Sequence, residues 1–229
     1  MSARALSAAL VMAAIILFVG CSQENTAETA ATGGAAPGSN GPGGATAAAL
    51  PKPRPAPTAE LPDPVVTMHT SLGDVMIRLN QKAAPRTVSN FVDYVLTKHY
   101  DGTIIHQIDA GYALIGGSYT EKLVQKPVRY PIPSESANGL KNRRGTIAML
   151  RNPADPNSAT SQYFINLADN PKLDRAGDKP EEAGYCVFGE VIQGLDVLEK
   201  IAQVRTADVK GFTKLPTQTV LVQSMSVVR

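Results

Sequence analysis

Gln162 and Phe164, two positions apart, are the first residues whose types suggest chemistry. They fall in Ser161-Gln162-Tyr163-Phe164-Ile165-Asn166, shortly after Gly145-Thr146-Ile147-Ala148-Met149. Alternate residues of a strand share a face, so an amide and an aromatic ring would stand side by side. Such a face grips a peptide: the ring takes an apolar side chain, the amide a backbone group. On spacing alone the blander account is stronger, with Phe164 in the core and Gln162 at a sheet edge. Other chemistry finds less support. The three His and two Cys are scattered, without metal-ligand spacing. His69 and His99 read as surface or strand-end positions. Gly116-Gly117 reads as a tight backbone turn rather than a phosphate cradle, because no helix begins there. Asp178-Lys179-Pro180-Glu181-Glu182 reads as solvated surface.

The elements that would position the pair are legible from periodicity. Short apolar runs at Val65 to His69 and Asp74 to Leu79 flank Ser71-Leu72-Gly73, a hairpin signal. From Ala83 to Thr97, Val88, Phe91, Val92, Val95 and Leu96 follow helical spacing, with Pro85 in the first turn. Strands follow after Tyr100-Asp101-Gly102 and at Gly111 to Gly117, Thr146 to Met149, Tyr163 to Leu167, Tyr185 to Val191 and Val220 to Val228. Arg151 to Ser158 and Lys172 to Ala183 are loops by composition. Leu195 to Ala202 is a short helix. About eight strands and two helices predict a mainly β domain. An antiparallel meander closed into a barrel, with a helix over each opening, leaves no edge exposed. Side chains fill a barrel of that size, so any binding surface lies on an outer wall.

The N-terminal quarter is different in kind. Met1 to Gly20 carries one cation, Arg4, before an apolar run from Leu10 to Val19, the shape of an export signal. The run ends in Leu17-Phe18-Val19-Gly20-Cys21, which resembles the lipobox of bacterial lipoproteins and implies lipidation at Cys21. Ser22 after the Cys, in place of Asp, implies the outer membrane where the cell has one. Residues 21–64 are rich in Ala, Gly, Pro and Thr and cannot build a core. Such a segment is a tether of roughly 35 Å. The expected organisation is therefore a signal peptide over 1–20, a lipidated Cys and tether over 21–64, and a folded domain over 65–229. A formal net charge of +2 gives no argument for nucleic acid. Cys186, in the apolar run Gly184 to Gly189, reads as a buried inert thiol.

From Val65 to Arg229 the residues resemble the cyclophilins, peptidyl-prolyl cis-trans isomerases, and most of all their bacterial members. The likeness runs through Thr70-Ser71-Leu72-Gly73-Asp74, Asn90-Phe91, His106, Gly116-Gly117, Glu135, Asn138-Gly139-Leu140, Arg144 to Met149, Thr160 to Asn166, Leu173-Asp174 and Val187-Phe188-Gly189. It implies an eight-stranded antiparallel barrel with two capping helices, acting without cofactor or metal on proline-containing unfolded or exported chains. Together with the lipobox-like run, it gives the expectation of a monomer tethered at the periplasmic side of the envelope. It also implies that Tyr112, Gln162, Phe164, Leu173 and Tyr185 bind substrate, with His106 as a hydrogen-bonded wall residue.

The resemblance departs where the family keeps its polar catalytic side. The family's Arg, directly after the His, is Gln107 here, and a family Gln is Ile115. The pocket Phe is Tyr112, the following Met is Ala113, and Leu150 stands where Ala is usual. An uncharged donor is about half as strong as a charged one. The expectation is weak isomerase activity, with retention of extended chains without turnover as the alternative. Arg151 reads as a solvated loop residue.

Overall fold

A turn at Ser71-Leu72 sets the first strand pairing. Thr70 Oγ1 donates to the Gly73 carbonyl at 2.6 Å and accepts the Leu72 N–H at 3.1 Å. This local loop of hydrogen bonds joins β1 (Val65–Thr70) to β2 (Gly73–Leu79). Val66, Met68, Val75, Ile77 and Leu79 are all fully buried, the period-2 pattern of strands with one face inward. The computed structural model describes residues 63–209 and 211–228. The segments up to residue 62 expected to be an export signal and a tether, and the candidate lipidation residue Cys21, lie outside the described residues.

The remaining elements are α1 (Pro85–Leu96), β3 (Thr103–Asp109), β4 (Ala113–Thr120), β5 (Thr146–Met149), β6 (Tyr163–Asn166), β7 (Val187–Gln193), α2 (Leu195–Ala202), β8 (Thr206–Val209), β9 (Phe212–Pro216) and β10 (Val220–Val228). Eight strands close into an antiparallel barrel in the order β1-β10-β3-β4-β6-β5-β7-β2. The expected closure and two helices are present, but the path is not a meander. β10 returns between β1 and β3, and β5 and β6 exchange places. β8 and β9 form a separate hairpin that sequence periodicity did not reveal. Its strands are mostly exposed or half-buried, so they lack the clean alternation that announces a strand.

Core side chains fill the barrel. Phe91 from α1 meets Tyr100, Tyr163 and Phe188 at ring centroid separations of 5.0, 5.9 and 5.1 Å. The buried face of α1 is Thr87, Val88, Phe91, Tyr94 and Val95. Leu96, expected on that face, is 66% exposed, and Tyr94 takes its place. Ala84 offers no side-chain cap to α1. Instead Glu135, 48 residues away, accepts the N–H groups of Arg86 and Thr87 and the Thr87 hydroxyl at 3.1, 2.8 and 2.7 Å. A carboxylate at a helix N-terminus satisfies orphan donors and meets the positive end of the dipole.

Gly116 and Gly117 correct an expectation. They sit inside β4 rather than at a turn. At Gly117, where φ is +94°, a Cβ would lie 2.6 Å from the Ser161 carbonyl oxygen and 2.9 Å from the Tyr163 ring. The pair lets β4 pass close to the segment leading into β6.

Candidate functional site

Successive residues of β6 point to opposite sides. Tyr163 and Ile165 belong to the barrel core, whereas Phe164 belongs to a second apolar cluster with Ala113, Ile115, Ala148, Leu173 and Val187. Tyr112, Leu140, Leu150 and Tyr185 pack on that cluster and stay partly exposed. Strand pairing builds it directly. Gln107 is opposite Ile115, Ile115 opposite Phe164, Phe164 opposite Ala148, and Ala148 opposite Val187. One row of register partners thus crosses β3, β4, β6, β5 and β7 on the outer wall. The structure brings together Gln107, Tyr112, Phe164, Leu173 and Tyr185 from five separate stretches of sequence. Gln162 lies just ahead of β6, half-buried, and its carbonyl accepts the Leu150 N–H at 2.9 Å.

Each wall residue is held by identifiable partners. Phe164 and Tyr185 meet edge to face at 5.5 Å and 85°. The Tyr185 N–H donates to the Leu173 carbonyl at 2.9 Å, coupling two members of the wall. The Tyr112 carbonyl accepts the Leu167 N–H at 2.9 Å and Asn170 Nδ2 at 3.0 Å. Asn170 also donates to Asn166 Oδ1 at 2.7 Å, and Asn166 donates to Thr146 Oγ1 at 2.9 Å. A buried amide relay therefore fixes the Tyr112 backbone. Sequence reading passed over it, although Asn166 interrupting an apolar strand was its visible signal.

Arg151 overturns its expected place in a solvated loop. It is 8% exposed. Its Nε donates to the Gly184 carbonyl at 2.7 Å, Nη1 to those of Asn152 and Pro153 at 2.9 and 3.0 Å, and Nη2 to that of Pro180 at 2.8 Å. Its guanidinium carbon sits 5.0 Å from the centre of the Tyr185 ring. A fork with five donors suits such multiple carbonyl capture. The charge is committed to framing Tyr185, not to a substrate.

His106 also differs from expectation. It is 1% exposed, and its ring nitrogens make no well-formed hydrogen bond to a described side chain; the nearby Ile104 backbone is its one polar neighbour that acts on the ring. Aromatic edges enclose it instead, Tyr119 at 4.9 Å and Phe212 of the extra hairpin at 6.5 Å. Burial pushes its pKa down to about 4, so the ring is neutral at ordinary pH. Burial raises the phenols of Tyr112 and Tyr185, which keep their protons. Cys186 is buried and its thiol is pushed up to about 11, chiefly by desolvation. Among the described residues no group of His, Cys, Asp and Glu is arranged to hold a metal ion.

Gln107 is 3% exposed, with no hydrogen bond from its amide to another described residue. Ile115 beside it is 4% exposed. Phe164 is fully covered, so a ligand reaches its ring only when a partly exposed neighbour such as Tyr112 or Tyr185 turns aside. The wall offers aromatic and aliphatic surface, with the neutral amide of Gln107 at its margin. It can hold an apolar ring and place a weak donor beside it.

Residues 65–227 match the family model described as cyclophilin type peptidyl-prolyl cis-trans isomerase/CLD. The chain is 42% identical over 163 residues to peptidyl-prolyl cis-trans isomerase B of Escherichia coli K12, covering 71% of this chain and 99% of that protein. It is 41% identical over 162 residues to peptidyl-prolyl cis-trans isomerase cyp18 of Streptomyces antibioticus, covering 71% and 97%. Among solved structures it resembles a Cryptosporidium parvum cyclophilin type peptidyl-prolyl cis-trans isomerase crystallised in the presence of the dipeptide Ala-Pro. That likeness has a TM-score of 0.60 at 21% identity and covers 72% of this chain and 99% of the other. At that identity it speaks to the fold.

Proposed function

The chain belongs to the cyclophilin-type peptidyl-prolyl cis-trans isomerases, and from that premise we propose that it turns X-Pro bonds slowly, using the wall around Phe164. The observation that carries the proposal is the row Gln107–Ile115–Phe164–Ala148 across four paired strands. Rotation about an amide faces a barrier of about 18–20 kcal/mol because resonance keeps it planar. In the twisted transition state the proline nitrogen regains its lone pair. A donor aimed at that nitrogen favours the twisted form over both planar forms, which is the condition for catalysis.

Phe164, with Leu173 and Tyr185 around it, supplies the surface that holds the proline ring while the preceding carbonyl swings. Gln107 supplies the donor. It is neutral, and its neighbour Ile115 can neither orient it nor hydrogen-bond a substrate backbone. Loss of one preorganised donor typically lowers a rate by about 10²–10³. The covered Phe164 ring adds a second cost, because a side chain must move before the proline seats. No proton is transferred and no covalent intermediate forms, consistent with a neutral, enclosed His106.

A second reading has the same surface retaining proline-containing chains without turning them over. Gln107 and Ile115 favour it, since they remove polarity while leaving apolar grip. For either reading, the N-terminal signal and Cys21 support clients that are exported chains met at a membrane, with the domain acting as a tethered monomer.

The test is exchange spectroscopy on an Ala-Pro peptide with the full chain. Turnover about 10²–10³ below that of an Arg-bearing cyclophilin is expected. A rate within tenfold of such an enzyme overturns the impairment. Binding with no detectable turnover selects the retention reading.

A further inference from the structure

A cavity lies beside the proline wall rather than on it. Its volume is about 520 Å³. It is lined by Leu140 and Val187, which also belong to the apolar cluster around Phe164. From there it runs along β5, β7 and β2 past Thr146, Glu190 and Arg78. The two surfaces are therefore continuous.

Register fixes their separation. Phe164, Ala148 and Val187 are partners on three successive strands. Adjacent strands are about 4.8 Å apart, so Val187 stands roughly 10 Å from Phe164. An extended peptide advances about 3.3 Å per residue. A chain whose proline sits over Phe164 enters the cavity about three residues away.

The charges at that entrance are not balanced. Farther along, Arg78 is neutralised by Glu190, with Nη2 to Oε1 at 2.5 Å. Lys141 lines the cavity and makes only a long contact of 3.7 Å with Asp174, whose Oδ1 also accepts the Asn142 N–H at 2.7 Å. Arg143 lines it too, is exposed, and makes no ion pair with a described residue. The other carboxylate on the wall, Asp63, accepts the Gln81 N–H at 3.0 Å, beside the start of β1.

We propose that this cavity is a subsite for the polypeptide flanking the proline, and that Arg143, assisted by Lys141, selects chains with an acidic residue about three to five positions from it. The inference rests on the reading of the Phe164 wall as the proline site. It goes further by naming a substrate class: unfolded segments in which Asp or Glu lies near an X-Pro bond, on one side only, since the cavity opens on one side of the wall.

The test uses the full chain and three sets of otherwise identical Ala-Pro peptides. They carry Glu, Lys or Ala at three to five residues before or after the proline. Affinity is read by titration while amide shifts of Phe164, Tyr185 and Arg143 are followed. Exposed ion pairs are modest. A two- to fivefold preference for Glu over Lys is expected at low salt, on one flank only, weakening as salt rises. Arg143→Glu reverses the preference and leaves the Ala peptide unchanged, because Arg143 is an exposed side chain outside the wall. If all peptides shift Phe164 and Tyr185 but bind equally, the subsite is overturned and the proline site stands. If no peptide shifts Phe164 or Tyr185, the proline site itself falls, and the subsite with it.

Discussion

Gln107 and Ile115 sit opposite each other on β3 and β4, both more than nine-tenths buried. An amide that lacks a described partner thus lies against an aliphatic side chain at the edge of the apolar wall around Phe164. The two positions act as one unit, because a donor there needs a neighbour to aim it. Gln107→Arg alone places a guanidinium beside Ile115 with nothing to orient it, and burying an unpaired charge is unfavourable. Gln107→Arg with Ile115→Gln is expected to raise kcat/KM by about 10²-fold, far above the product of the single changes. Exchange spectroscopy on Ala-Pro peptides checks this. Equal rates for the double variant and the native chain would mean that the Phe164 wall does not perform the reaction.

Arg151 frames Tyr185 from behind. Arg151→Met strips four carbonyls of their donor and removes the cation from the Tyr185 ring. The expected result is a several-fold rise in KM with kcat little altered, since on the proposed function Tyr185 holds the proline rather than reacting. Arg151→Lys restores charge but not the fork and rescues little. A fall in kcat at unchanged KM contradicts the positioning role.

His106 makes stability depend on pH. Its folded pKa of about 4 lies below the ordinary 6.5, so folding favours the neutral ring. Its stabilising contribution is complete above pH 6.5 and is lost as pH falls from 6.5 through 4. The full loss is about 3 kcal/mol. His99 is also held low by burial and acts in the same sense. His106→Phe, which keeps a ring between Tyr119 and Phe212, is expected to flatten but not abolish the fall in urea midpoint between pH 6.5 and 4. An unchanged slope rules His106 out as a source.

Glu135 caps α1 from a distant loop. Glu135→Ala leaves the first turn of α1 without its acceptor. The expected loss is about 1–2 kcal/mol, seen as a lower urea midpoint at constant m. Thr87→Val removes one of the three hydrogen bonds and costs less. An unaltered midpoint for Glu135→Ala shows that water replaces the carboxylate without penalty.

Much of this architecture was legible in one dimension. Short apolar runs and helical spacing located β5, α2 and β10 to the residue, and a Gly beside a short turn announced the β1–β2 hairpin. The family likeness named Phe164, Tyr185 and Gln107 as members of one site. The hairpin, helix and strand signals are written locally, because each depends on residues within a turn or two of one another; the site's membership came from the likeness alone. Strand order was not legible, nor the hairpin carrying Phe212, nor the place of Gly116 and Gly117 within β4.

Residue patterns determined a β-rich core, and the family likeness marked an aromatic wall with Gln107 where the family keeps an arginine. Tertiary structure alone decided that Phe164 faces outward between inward Tyr163 and Ile165, that Arg151 serves Tyr185, and that Glu135 serves α1. All three residues of that run are buried, so hydrophobicity cannot rank them. Only closure of the barrel brings Ile115, Ala148 and Val187 alongside Phe164, because register between strands far apart in sequence assigns each buried side chain to one face of the wall or the other.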